Sequence, residues 1–116
     1  MWDELRKAAK PKTVLIYENV EGRKPFSEWL EGLRDTKGRE RIMARIVRLT
    51  QGNYGDCRPI GEGVSELRMF FGPGYRAYIG EAGNQIIILL CGGDKSTQTQ
   101  DIETAKTYWK EYQSHA

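Results

Sequence analysis

Apolar residues change their spacing partway along this chain, and the change separates a helix-forming first half from a strand-forming second half. Val14-Leu15-Ile16-Tyr17 is a β-branched and aromatic run that predicts a first strand. Pro25 suits the first turn of a helix. Phe26, Trp29, Leu30 and Leu33 follow at i, i+3, i+4 and i+7, one apolar face that should end near Asp35. Gly38 opens a second segment, in which Ile42, Ile46 and Leu49 form a stripe and Gly52 a stop. The period then falls to two. Val64 to Phe71 sets Leu67, Met69 and Phe71 on one side and Glu66, Arg68 and Phe70 on the other. After the turn Gly72-Pro73-Gly74, Tyr75, Ala77 and Ile79 alternate with Arg76 and Tyr78, so these two strands form a hairpin. Beyond the Ala82-Gly83-Asn84 turn, Ile86 to Cys91 is apolar without alternation, the pattern of a strand covered on both faces, and it should be the centre of the sheet. Gly92-Gly93 breaks that strand. A capping box of Thr97 and Gln100 opens a last helix lined by Ile102, Ala105, Trp109 and Tyr112.

The predicted order is β-α-α-β-β-β-α, with a further short strand around Arg58 to Ile60. Runs of helix followed by runs of strand argue for an α+β domain, an antiparallel sheet with helices packed on one face. Met1 to Lys12 are charged and end at Pro11, so residues 1–13 read as a peripheral extension and 14–116 as a single domain. The length of 116 residues suits one core. With 39% apolar and 29% charged residues the composition is that of an ordinary globular chain.

Charge changes the picture by its position rather than its total. The net charge is only +2, too small to announce a nucleic acid or an anionic membrane. Yet Arg34 to Arg48 holds six basic residues against Asp35 and Glu40, a local +4 that exceeds the whole chain's charge. Within it Arg41, Arg45 and Arg48 make one helical stripe, suited to phosphate or an acidic partner and equally to a solvated helix face. Across the predicted hairpin Arg68 and Arg76 face one concavity, with Glu66, Phe70 and Tyr78 as neighbours. Each arginine could instead simply pair with a carboxylate such as Glu66. A third signal is Gly92-Gly93-Asp94-Lys95-Ser96-Thr97, where a helix N-terminus and Lys95 could hold a phosphate. Glycine at such a junction also serves purely steric needs.

Metal chemistry finds no support. The single histidine is His115, and Cys57 and Cys91 stand far apart without neighbouring ligands, so no metal or other cofactor is expected. Met1 to Leu15 has no apolar core followed by a small-residue cleavage site, so the expectation is a cytoplasmic protein with both cysteines reduced and buried. The longest apolar run, Ile86 to Cys91, is far below the ~20 residues that span a bilayer, and no membrane partner is expected.

Three segments in order, Gly61-Glu62-Gly63-Val64-Ser65-Glu66-Leu67-Arg68, Gly72-Pro73-Gly74-Tyr75-Arg76-Ala77-Tyr78 and Leu89-Leu90-Cys91-Gly92-Gly93-Asp94-Lys95-Ser96, strongly resemble the RelE/HigB-like toxins of type II toxin–antitoxin modules, especially the addiction module killer proteins. The resemblance runs from about Val14 to Trp109. It implies the small RelE-like fold and a metal-independent endoribonuclease that cuts mRNA, commonly on the ribosome, by attack of the ribose 2′-hydroxyl on the adjacent phosphate. That chemistry needs a proton acceptor, cations on the phosphorane and an acid for the leaving oxygen. By resemblance, Arg76 is the phosphate-stabilising arginine, Lys95 a second basic position, and Arg68 a helping strand cation. The proton shuttle departs from the family pattern: the position that often holds tyrosine is Asp101 here, which leaves Glu66, Asp94, Asp101 and Tyr78 as candidates. Arg41, Arg45, Arg48, Tyr78, Asp94 and Ser96 are the candidate RNA contacts. The implied partners are mRNA on the ribosome and a cognate antitoxin, in this subgroup usually a helix-turn-helix DNA-binding protein through which operator DNA is reached. Two alternatives stay open: a ParE-like inhibitor of DNA gyrase, and a degenerate toxin that only binds its antitoxin. Candidate antitoxin surfaces are the basic helix Lys37 to Arg48 and the helix Gln98 to Tyr112, although the aromatic stripe of the latter suits packing on the sheet.

Overall fold

Five strands and three helices form from residues 10–115, the part of the chain that this computed structural model describes. In chain order they are β1 (Thr13–Ile16), α1 (Pro25–Gly32), α2 (Thr36–Thr50), β2 (Cys57–Gly61), β3 (Val64–Arg68), β4 (Arg76–Ala82), β5 (Ile86–Gly93), a 3₁₀ turn (Lys95–Thr97) and α3 (Gln98–Ser114). The short strand expected near Arg58 is β2. The expectation of a peripheral extension over residues 1–13 lies mostly outside the described residues.

The sheet runs β1-β5-β4-β3-β2. Strands β2 to β5 are antiparallel neighbours, whereas β1 lies parallel to β5 with Val14 opposite Ile87 and Ile16 opposite Leu89. The expected all-antiparallel sheet is therefore a mixed one. A parallel pair needs a long connection, and the helices and hairpins between β1 and β5 supply it. The central strand is β4, not the Ile86–Cys91 strand, which sits beside it.

Helices cover both faces rather than one. Phe26, Ile42, Ile46 and Leu49 from α1 and α2 pack with Leu67, Ala77, Ile79, Ile87 and Leu89. On the other face, Ala105 and Trp109 of α3 pack with Val64, Tyr78, Ile88, Leu90 and Cys91. The unbroken apolar run of β5 demands this, since both of its faces must be buried. Glycines let two tryptophans come down onto the backbone: a Cβ on Gly92 would meet the Trp29 ring at 2.3 Å, and one on Gly80 would meet Trp109 at 2.3 Å. Gly92-Gly93 thus continues β5 instead of breaking it, its role being close approach.

Two helix starts also differ from expectation. Asp35 does not close α1 but caps α2, accepting from the Gly38 amide at 2.9 Å, and α2 begins at Thr36. The cap before α3 is Asp94 paired with Thr97, three residues ahead of the expected Thr97–Gln100 box. Both cysteines are free, but only Cys91 is fully buried; Cys57 is half-buried, because β2 is an edge strand.

Candidate functional site

The β3–β4 hairpin builds the site through its register. Arg68 and Arg76 are direct cross-strand partners, as are Glu66 and Tyr78, so all four side chains share the sheet face that α3 covers further along. Like charges held this close need anions near them, and each arginine has a carboxylate. Arg68 Nε lies 3.3 Å from Asp56 Oδ2. Arg76 Nε lies 3.5 Å from Glu66 Oε2, with Glu66 2% and Arg76 8% exposed.

Glu66 is a hub. Its Oε2 accepts from the Tyr78 hydroxyl at 3.0 Å and from Gln98 Nε2 at 2.9 Å. Arg76 Nη1 donates to the Gly74 carbonyl at 2.7 Å, while Nε is buried without an aligned hydrogen bond. The guanidinium is thus fixed from behind by charge and from the side by the turn. Burial and the Glu66 charge hold the Tyr78 phenol far above its usual range.

In front of this network is an open cleft of about 420 Å³, lined by Arg68, Phe70, the turn Gly72-Pro73-Gly74, Arg76 and Lys95. Lys95 arrives from the 3₁₀ turn: a Cβ on Gly74 would be 3.5 Å from Lys95 Cβ, so the two loops touch. Arg68, Arg76 and Lys95 therefore converge on one concavity. A second cleft of similar size adjoins it, sharing Arg68, Met69, Phe70 and Phe71 and adding Arg41, Arg45, Arg48 and Asp56. By contrast, a cleft of about 430 Å³ by Tyr17 and Tyr112 holds Glu18 and Glu111 and, among the described residues, no lysine or arginine.

Several sequence candidates take other roles. Tyr78 is fully buried and Glu66 nearly so, which removes both from direct contact with RNA and makes them supports for Arg76. Arg45 is not part of a phosphate ladder: its guanidinium donates to the carbonyls of Tyr54, Asp56 and Arg68 at 2.8–3.3 Å, tying the loop after α2 to the end of β3. Arg41 lies over the Phe71 ring at 5.3 Å, and Arg48 is exposed. Asp94 accepts from the amide and hydroxyl of Ser96, so its own carboxylate occupies the expected phosphate cradle. Asp101 accepts from the Thr97 hydroxyl and packs on Gly93, the strand partner of Arg76. Burial, seconded by the Asp94 charge, raises its carboxyl above the usual range against the lowering effect of Thr97.

Sequence reasoning missed Asp56, which sits in a loop with no pattern to mark it. Phe70, expected beside Arg68 and Arg76 but given no role, is 76% exposed, an aromatic on the polar side of an alternating strand. Among the described residues, no group of three or more His, Cys, Asp or Glu side chains could hold a metal ion, and no helix is long and apolar enough to cross a membrane.

No protein-family model matches the chain. An uncharacterized protein of Haemophilus influenzae is 47% identical over 81 residues, covering 70% of this chain and 82% of that relative. At that identity and coverage the chain belongs to one family with the Haemophilus influenzae protein.

Proposed function

We propose that this chain is a RelE/HigB-like toxin of a type II toxin–antitoxin pair, a cytoplasmic endoribonuclease that cuts mRNA on the ribosome without a metal. The observation that carries the reading is the convergence of Arg68, Arg76 and Lys95 on one open cleft. Three cations around a concavity suit the phosphorane formed when a 2′-hydroxyl attacks its neighbouring phosphate, because they meet the developing charge already oriented. The element order, with a hairpin whose turn leads through Gly74-Tyr75-Arg76 into β4, supports the RelE-like assignment of the fold.

In the proposed reaction the 2′-oxygen bonds to phosphorus, the bond to the 5′-oxygen breaks, and a cyclic phosphate and a 5′-hydroxyl result. Arg76, held by Glu66 and Gly74, stabilises the charged oxygens, with Arg68 and Lys95 on either side. Of the proton-transfer candidates, Asp101 is half-buried beside Gly93, the strand partner of Arg76, and burial raises its pKa. Among the described residues no carboxylate lines the cleft beside the three cations, which fits a reaction in which the ribosome orients the message and assists proton transfer. The cognate antitoxin is the proposed protein partner, with operator DNA reached through it.

The test is expression of the chain with and without the gene beside its own, followed by mapping of 5′ ends in cellular mRNA and measurement of plasmid supercoiling. Codon-phased cuts that vanish in Lys95→Ala and Arg76→Ala are expected. Lys95 is exposed, so its substitution tests chemistry without disturbing the core. Altered supercoiling with intact messages overturns the nuclease and favours gyrase inhibition.

A further inference from the structure

We infer that Phe70 is a stacking platform for a base of single-stranded RNA, next to the phosphate held by Arg68, Arg76 and Lys95; the inference rests on the nuclease reading above. Phe70 is 76% exposed although its neighbours Met69 and Phe71 pack into the core beneath α1 and α2. Alternation therefore projects the ring to the opposite side, beyond the end of β3, where no helix covers it. The backbone cannot simply retract it, since the Met69 amide is bonded to the Tyr75 carbonyl at 3.0 Å and Gly74 to Phe71 at 3.1 Å. The Arg68 guanidinium lies over the ring at 5.4 Å. At that exposure the ring has open π-surface for a second planar group.

The surroundings decide which group. Phe70 lines both clefts and separates Arg76 and Lys95 on one side from Arg41 and Arg48 on the other. A positively charged track interrupted by an aromatic ring suits a chain whose charges are phosphates and whose spacers are flat bases. An apolar protein surface would bring no counter-charge to Lys95, Arg41 and Arg48, which line the two clefts. Phenylalanine has no polar atom, so the platform tolerates any base, and specificity must come from elsewhere.

The probe is a fluorescein-labelled 2′-O-methyl hexanucleotide, which cannot be cleaved, titrated at low salt by anisotropy. Phe70→Ala should weaken its binding by about 5- to 150-fold, the range of one base–aromatic stack. Phe70→Leu, which keeps apolar bulk but has no π-face, should be as weak as alanine, and Phe70→Trp should restore affinity. Hexanucleotides with an abasic site at each position in turn should reveal one position that matters for the unmodified protein and not for Phe70→Ala. Equal affinity of Phe70→Ala or Phe70→Leu and the unmodified protein overturns the platform, as does absence of binding by the unmodified protein. So does a Phe70→Ala variant that keeps RNA affinity but loses antitoxin, which would make the ring a protein contact. Arg76-dependent message cutting together with Phe70-independent affinity removes the platform alone. Phe70-dependent affinity with uncut messages removes the nuclease alone.

Discussion

Replacing Glu66 by Gln removes the charge that faces Arg76 while keeping an oxygen for the Tyr78 hydroxyl. At 3.5 Å the pair's attraction is about 5 kcal/mol for an effective dielectric constant near 20. Much of that is spent on desolvating two charged groups, so the pair adds little net stability. Breaking it is another matter, because one charge is then left buried alone, at a cost of about 3–5 kcal/mol. Arg76 also reaches the cleft, which places both Glu66→Gln and Arg76→Met at the lower end, about 3 kcal/mol each, or roughly 10 °C in Tm for a chain of this size. The double variant carries neither charge and, because the pair adds little net stability, should lose about 1 kcal/mol rather than 6, a coupling of about 5 kcal/mol, the size of the attraction itself. Urea unfolding followed by circular dichroism at pH 7, with m-values compared across the four proteins, measures this. Single losses below about 1 kcal/mol, or additivity within about 0.5 kcal/mol, would refute the claim that Glu66 holds Arg76 in place.

Arg45→Ala should cost about 2 kcal/mol in the same unfolding assay, since three carbonyls lose a charged donor, whereas Arg41→Ala and Arg48→Ala should stay within about 0.5 kcal/mol; equal effects would return Arg45 to the surface ladder. Gly92→Ala should destabilise the protein by overpacking, by about 1–3 kcal/mol in the same unfolding assay, and Trp29→Leu in the same chain should recover part of it, because the clash is with that ring. Asp101 has a folded pKa raised above 3.8, so it disfavours folding once ionised: its penalty is absent below the unfolded value and full above the folded one. Asp101→Asn should therefore stabilise the protein at pH 7, and the gain should fade as pH falls towards 4; thermal melts across that range check the sign, and a constant gain would contradict it.

The one-dimensional pattern was enough for most element types. The i, i+3, i+4 spacing of Phe26, Trp29 and Leu30, and the alternation through β3 and β4, follow from backbone geometry that each segment meets locally. The facing of Arg68 and Arg76 was legible for the same reason, since a tight Gly-Pro-Gly turn sets the register of a hairpin. Boundaries were less legible: the Asp35 and Asp94 caps compete with nearby alternatives that only the folded chain resolves.

Long-range choices lay outside the pattern. Nothing local states that β1 joins β5 in parallel, or that α3 takes the opposite face from α1 and α2, because these depend on which apolar surface is still uncovered when distant segments meet. The partners of charges were equally hidden. Arg45 and Arg48 are alike as letters on one helix, yet one is bound to three carbonyls and the other is exposed. The sequence by itself determined the inventory of strands, helices and cations, since those depend on neighbours a few positions away. Only the tertiary structure decided which cations are committed to backbone and carboxylates and which border an open cleft, since the cost of burying a charge depends on what the fold brings beside it.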